Sequence, residues 1–310
     1  MSQTLSIRKS IDLARRAYLQ RARKRVLEPL RTWFTVGGGA SFYFMPAHVS
    51  GLRTVSAKIV SVKPRSHDGS LPTTSAMIYV FDSKTGAELA RIAGNYLTAI
   101  RTAASSALAT DILARQETET LGIIGTGKQA QAHLPTMLAV RDFSQVLVYS
   151  RSKAHRSAFV RGSKKIGVPV TASSSAEELA RKSDVLVLAT NSRVPVLHNN
   201  AVSPGTHVNA IGAALPSSRE MDSTLVKRSV LVVDSVNQAL ASYGDILIPI
   251  KERLIRKSHI RAELGELLLD PTILQRSEVD ITVFKAGGLA ALDAVFADHV
   301  VSRVSSILGN

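Results

Sequence analysis

The chain has 310 residues, 45% hydrophobic and 20% charged, enough for two domains with proper cores. It has no cysteine, which excludes disulfides, thiolate nucleophiles and zinc–thiolate sites and fits a reducing cytoplasm. The net charge of +15 invites a nucleic-acid reading, while no apolar run reaches the roughly 18–20 residues of a membrane span.

Residues 6–28 read as an amphipathic helix, with apolar Ile7, Ile11, Ala14, Tyr18, Ala22 and Val26 on one face. The first 36 residues hold nine Lys/Arg against two acids, so the outer face is basic. The plain reading is a solvated surface; an acidic partner, a membrane surface and a transit peptide are the alternatives. No RNA-type aromatic motif interleaves with the charge, which argues against nucleic acid. Residues 36–45 are short and β-rich after Gly37-Gly38-Gly39. Residues 52–62 alternate and carry Lys58, and residues 64–69 form a polar loop. A strand over 74–81, a turn at 82–86 and a returning strand at 87–94 make a hairpin. A small-residue helix begins near Thr98.

From residue 119 strands alternate with helices. The strands are expected at 121–124, 146–149, 185–189, 207–211 and 230–233, with a helix at 176–182 among those between them. That pattern predicts an α/β fold with a doubly wound parallel sheet. Past residue 250 a basic connector leads to Glu263-Leu-Gly-Glu266 and Ile281-Thr-Val-Phe284-Lys-Ala-Gly-Gly288. A closing helix covers about 289–308. No internal repeat is present.

The densest signal is Gly125-Thr-Gly127-Lys128-Gln129-Ala130, between a buried strand and a helix. Gly125 makes the turn, Gly127 lets a diphosphate approach the backbone, and Ala130 permits close helix–strand packing. A merely structural turn is the competing reading. An acid normally ends the second strand of an NAD site, to bind the ribose 2′-hydroxyl. Here Ser150-Arg151-Ser152-Lys153 follows, a set suited to a 2′-phosphate. NADP(H) is therefore favoured, with NAD(H) as the alternative. Thr190 and Asn191 would lie near the nicotinamide, or form a plain loop. His67, His133, His198 and His207 lack paired metal spacing, and no serine sits in a glycine-flanked elbow.

At this point the sequence resembles the ornithine cyclodeaminase/mu-crystallin family. The matching blocks are Ala57-Lys58-Ile-Val-Ser, Leu71-Pro-Thr73, Arg101-Thr-Ala-Ala, Gly125-Thr-Gly-Lys-Gln-Ala, Val208-Asn-Ala-Ile-Gly212, Arg219-Glu-Met-Asp222, Val233-Asp-Ser, Gly244-Asp245 and Thr282-Val-Phe-Lys-Ala-Gly-Gly-Leu289. They occur in family order over nearly the whole chain. The resemblance implies a homodimer. Each subunit would hold a Rossmann domain (113–288) and a second α/β domain for substrate binding and dimerisation, made from both chain ends (1–112 and 289–310). The site would lie in the cleft between them. The resemblance also implies that Arg31, Lys58 and Arg101 gather a substrate carboxylate. Thr73, Arg101, Ile211, Gly212 and Ala286 would border the coenzyme, and Asp222 would handle a proton. Without the match, Lys58 reads as a surface lysine and Asp222 as a helix N-cap. A lysine among arginines has a lowered pKa, so Lys58 could also donate a proton.

The resemblance leaves the outcome of hydride transfer at Cα open. Reduction of a small α-imino acid such as Δ1-pyrroline-2-carboxylate, or interconversion of a 2-oxo acid and an amino acid, is one outcome. Cyclodeamination of ornithine or lysine with recycled NAD is another, and a non-catalytic ligand-binding protein is the third. The absence of an acid after strand 146–149 suits net reduction by NADPH. The stretch 32–57, expected to line the pocket, has no acid for a distal ammonium and offers Trp33, Phe34, Phe42, Tyr43 and Phe44 instead. Both features favour the reductase. Ala286 and Gly287 depart from the family's Ser-Val at these positions; Ala286 removes a hydroxyl and Gly287 is expected to leave a roomier substrate pocket.

Overall fold

The computed structural model describes residues 5–63 and 74–308, so Thr73 lies outside the described residues. The chain divides into two compact units: Met1–Arg101 with Gly288–Asn310, and Thr102–Gly287.

The first unit opens with helix α1 (Ile7–Ala22), capped by Ser6, whose hydroxyl accepts the Lys9 N–H. The helix stops well short of residue 28. Lys24 turns left-handed at φ 56°, and β1 (Val26–Leu27) then pairs with a later strand instead of continuing the helix. β2 (Thr32–Thr35) and β3 (Ser41–Val49) form a hairpin across the glycine run. β4 (Thr54–Val62), β5 (Thr74–Asp82) and β6 (Glu88–Ala93) complete an antiparallel sheet of order β1-β3-β4-β5-β6, with β2 also beside β3. Alternation along β4 puts Thr54, Ser56 and Lys58 on its buried face. The closing helix of the chain packs on β3, β4 and β5, and α1 packs on that helix. Helix α2 (Gly94–Leu113) holds the division between the units, after Arg101.

The second unit is a repeated strand–helix pattern. It comprises β7 (Thr120–Ile124), α3 (Lys128–Met137), β8 (Gln145–Tyr149), α4 (Lys153–Gly162), β9 (Val170–Ala172), α5 (Ala176–Arg181), β10 (Val185–Leu188) and β11 (His207–Ala210). Then come α6 (Ser223–Arg228), β12 (Val230–Val233), α7 (Val236–Ser242), α8 (Gly244–Lys251), β13 (Ile260–Glu263), α9 (Leu264–Leu269) and β14 (Thr282–Lys285). The closing helix, α10 (Ala290–Leu308), returns to the first unit.

All eight strands are parallel, in the order β13-β12-β14-β11-β10-β7-β8-β9. Every residue of β7, β10, β11 and β14 is buried, as expected for strands covered on both faces. The chain winds outward from β7 through β8 and β9, then restarts on its other side at β10. That reversal is the crevice where doubly wound sheets bind ligands. The architecture is the expected one: a doubly wound α/β unit and a second unit built from both chain ends. Strands β9 and β13 are additions to the sequence reading, and β14 sits between β11 and β12 out of chain order. No helix among the described residues is long and apolar enough to cross a membrane.

Candidate functional site

The strand register brings most of the expected coenzyme residues to one edge of the parallel sheet. Ile124 pairs with Tyr149 and Leu188, Leu188 with Ala210, and Ala210 with Lys285. The residues that follow are Gly125, Ser150, Ala189, Ile211 and Ala286. The ladder extends into them: Gly125 N donates to Tyr149 O (2.8 Å), Ile211 N to Leu188 O (3.0 Å) and Ala286 N to Ala210 O (3.2 Å).

Gly125 has φ +119°, and a Cβ there would meet Ala189 O at 2.3 Å. Only glycine closes this turn. Gly127 is different: it is extended, and a Cβ would meet nothing within 4 Å. That open space faces the start of α3, whose N-cap is Gly127 itself and receives no side-chain cap. The first-turn N–H groups, including those of Lys128 and Gln129, therefore have no partner within the helix. Gln129 Oε1 is buried without a hydrogen bond. Uncapped donors, a helix dipole and empty space fit a dinucleotide diphosphate.

At the end of β8, Ser152 caps α4 by accepting the His155 N–H at 3.2 Å, and Arg151 and Lys153 are exposed. Arg156 donates to Ser150 O and lies 5.3 Å over the Tyr149 ring. The sequence reading missed Arg156, one helical turn beyond Ser152.

Across the other loops runs a buried polar network that the motifs contained but did not explain. Glu220 Oε1 accepts from Thr190 N and Oγ1, both at 2.8 Å. Its Oε2 accepts from Gly212 N (2.7 Å) and Ala213 N (3.1 Å). Asp245 Oδ1 accepts from Glu220 N (2.8 Å) and Met221 N (3.0 Å), and Asp245 Oδ2 pairs with Lys285 Nζ at 2.8 Å. Burial pushes the Glu220 carboxyl above its usual range, against the pull of Lys285. These contacts tie the loop after β10 to the loop after β11.

The structure gives Asp222 a capping role, and two expectations need correction. Asp222 caps α6: Oδ1 accepts the Leu225 N–H (2.7 Å) and Oδ2 the Asn199 N–H (2.8 Å), with His198 Nδ1 at 3.4 Å. Both oxygens are engaged in holding backbone, so the capping reading is the one with geometry behind it. Gly287 opens no space: a Cβ there would meet the Tyr243 ring at 2.3 Å. Tyr243 is fully buried, donates its hydroxyl to Asp234 (2.8 Å), and Asp234 also accepts the Gly287 N–H (3.0 Å). The aromatic ring occupies the volume a larger residue 287 would take. Trp33 and Phe34 stand on exposed β2, stacked on Tyr43, Phe42 and Phe44 of β3, and do not form a buried wall.

In the first unit the structure brings Lys58 and Arg101 together around one carboxylate that the motifs did not flag, with Arg31 near enough to act on Lys58. Asp293, on α10, pairs through Oδ2 with Lys58 Nζ at 2.5 Å and through Oδ1 with Arg101 Nε at 3.3 Å. Lys58 is 1% exposed and Arg101 4%. The Arg101 guanidinium lies against Gly288, where a Cβ would meet both terminal nitrogens at 2.6 Å. Burial pulls the Lys58 pKa down to about 8; Asp293 raises it, and Arg101 and Arg31 lower it further. A buried lysine with two guanidiniums near it suits an anionic head group.

Comparison with known proteins follows the same line. The sequence pattern of the ornithine cyclodeaminase/mu-crystallin family matches residues 2–307. The chain belongs to this family. It is 33% identical over 261 residues to the Δ1-pyrroline-2-carboxylate reductase of Bacillus cereus, covering 84% of this chain and 80% of that one. Among solved structures, Thermococcus litoralis Δ1-pyrroline-2-carboxylate reductase in complex with NADH and L-proline is 36% identical. It superposes with a TM-score of 0.95, covering 99% of this chain and 96% of that one. A second family structure, an archaeal alanine dehydrogenase dimer with bound NAD, is 30% identical with a TM-score of 0.92, covering 99% and 94%.

Proposed function

We propose that this chain reduces a small α-imino acid of the Δ1-pyrroline-2-carboxylate type to the amino acid, using a reduced nicotinamide dinucleotide. The observation that carries this reading is the buried Lys58 among Arg101, Arg31 and Asp293. Arg31 and Arg101 hold the substrate carboxylate, the guanidinium fork matching its two oxygens. The turn Gly125–Gly127 and the first turn of α3 hold the diphosphate, while the network centred on Glu220 fixes Thr190, Gly212 and Ala213 around the rest of the coenzyme. When bound, the reduced coenzyme supplies the hydride that Cα accepts. Lys58 supplies the proton: an Nζ–H bond breaks as an N–H bond forms from the C=N π pair, leaving a neutral lysine and a secondary amine.

The rival cyclodeaminase reading needs an acid to hold a distal ammonium. Among the described residues at the cluster, Asp293 is already paired with two cations, which weighs against it. NADPH is the proposed coenzyme, supported by Arg151, Lys153 and Arg156 at the end of β8. A homodimer is proposed as well. Exposed apolar residues on β2, with Trp33 at 43% and Phe34 at 49%, offer a surface for a second copy. The dimeric archaeal relative points the same way.

The test mixes the protein with Δ1-pyrroline-2-carboxylate and either NADPH or NADH, following coenzyme oxidation and proline formation. Equimolar loss of coenzyme and gain of proline is expected. An Arg151→Ala, Arg156→Ala double variant should raise the KM for NADPH by about tenfold with little effect on NADH, the scale of one lost charge-assisted contact. Ammonia released from ornithine with no net change in coenzyme would replace this reading with the cyclodeaminase.

A further inference from the structure

A lysine ammonium cut off from water keeps its proton only if an anion compensates it. The charged groups that act on Lys58 come from three places: Asp293 from α10, Arg101 from α2 and Arg31 from the segment before β2. Asp298, also on α10, accepts the Thr54 hydroxyl at 2.9 Å, and Tyr43 of β3 feels Arg31. Glu28 is turned to Arg21 (2.7 Å) and the Ala291 N–H (3.0 Å). Among the described residues, only Asp293 makes an ion pair with Lys58.

We propose that Asp293 is the positioning residue that decides the protonation of Lys58, holding its ammonium charged in the ligand-free site and aimed by a shared carboxylate that also fixes Arg101. This rests on the reading of Lys58 as the proton donor in imine reduction. The geometry explains why the arrangement works: Lys58 is buried and Asp293 is the anion it is paired with, so that carboxylate offsets the cost of keeping the ammonium away from water. Without Asp293, burial and two guanidiniums would discharge Lys58 beforehand and leave no proton to give. Asp293 also explains the sharing: one oxygen serves Lys58 and the other Arg101, so the donor and the carboxylate anchor move as one body.

The experiment follows the Lys58 side chain by lysine-selective NMR in the coenzyme-free protein, assigned with Lys58→Arg, beside the pH profile of kcat/KM for Δ1-pyrroline-2-carboxylate. The wild-type midpoint is expected at about 8. In folded Asp293→Asn the midpoint should fall by about one unit or more, with the alkaline limb of kcat/KM moving by the same amount and a loss of rate of about fivefold or more at the wild-type midpoint. A folded Asp293→Asn protein whose Lys58 titrates as before overturns the proposal, whatever its activity. If the asparagine variant does not fold, Asp293→Glu decides. Moving the carboxylate by one methylene should shift the Lys58 midpoint and the kinetic limb together, and an unmoved midpoint overturns the proposal. Failure of imine reduction is separate, because the NMR titration needs neither substrate nor coenzyme.

Discussion

Lys58 and Lys285 are both fully buried and both paired with a buried aspartate, yet their other neighbours differ in charge. Lys58 shares Asp293 with Arg101 and feels Arg31, so its further charged neighbours are cations. Lys285 faces Asp245 and acts on Glu220, so anions outnumber cations. The negative side of the second pair is saturated: Glu220 accepts four donors from Thr190, Gly212 and Ala213, and Asp245 Oδ1 accepts two backbone N–H groups. Backbone dipoles compensate that charge internally, which makes the network a scaffold. The first cluster gathers two guanidiniums beside a buried lysine, an arrangement suited to an anionic substrate. Similar ion pairs thus serve different ends according to what surrounds them.

Four experiments break or sharpen the contrast. Lys58→Met should lower kcat/KM for imine reduction by roughly 10³-fold, within the range for losing a general acid, while stability falls only modestly because Asp293 keeps Arg101 as a partner. Equal activity would make the two lysines alike. Lys285→Met should do the reverse: two buried carboxylates lose their cation, and urea unfolding should report a loss of about 3–5 kcal/mol. Little change there would mean that backbone dipoles alone hold Glu220 and Asp245.

The third experiment uses pH. His133 joins the saturated class: it is fully buried, with Nδ1 at 2.7 Å from Gln129 O and Nε2 at 3.0 Å from Ser106 Oγ. Burial lowers its pKa to about 4, and that of His207 to about 3. Both are bases held neutral when folded, so the unfolded chain binds more protons below its ordinary imidazole value. Their contribution is complete above about pH 6.5 and is lost as pH falls toward the folded values, about 3 kcal/mol for His133. His133→Gln should flatten the acid side of the stability profile between those limits. An unchanged slope would remove His133 from the account. The smallest effect is expected at the glycine turn. Gly127→Ala should leave stability near wild type, since its Cβ meets nothing, and weaken coenzyme binding by about tenfold, measured by fluorescence titration. Gly125→Ala should instead compromise folding, because its Cβ meets Ala189 O.

Legibility in the sequence followed the range of the interaction. The strand–turn–helix at 121–138 could be read directly, since apolar alternation, two glycines and a helical stripe all lie within one window. The cations Arg31, Lys58 and Arg101 emerged only through motif resemblance, because each is ordinary in its own segment. Asp293 gave no local signal: an acid in the first turn of a helix usually serves the dipole. Tyr243 could not be paired with Gly287 for the same reason, and the roomier pocket inferred from that glycine disappears once the ring is placed. The end of α1 was misjudged because the apolar stripe continues to Val26, whereas pairing of Val26 with Val49 won over one more helical turn.

The amino-acid sequence by itself determined the glycine turn and the alternation of strands and helices, because these depend on periodicity and on backbone sterics among near neighbours; the class of chemistry came through motif resemblance. Only the tertiary structure decided which acid faces which lysine. Asp293 reaches Lys58 because α10 returns to lie on β4. Lys285 reaches Asp245 at the end of β14, a strand inserted between β11 and β12. Ion pairs between residues so distant along the chain follow from strand order and helix packing, and no window of sequence contains both partners.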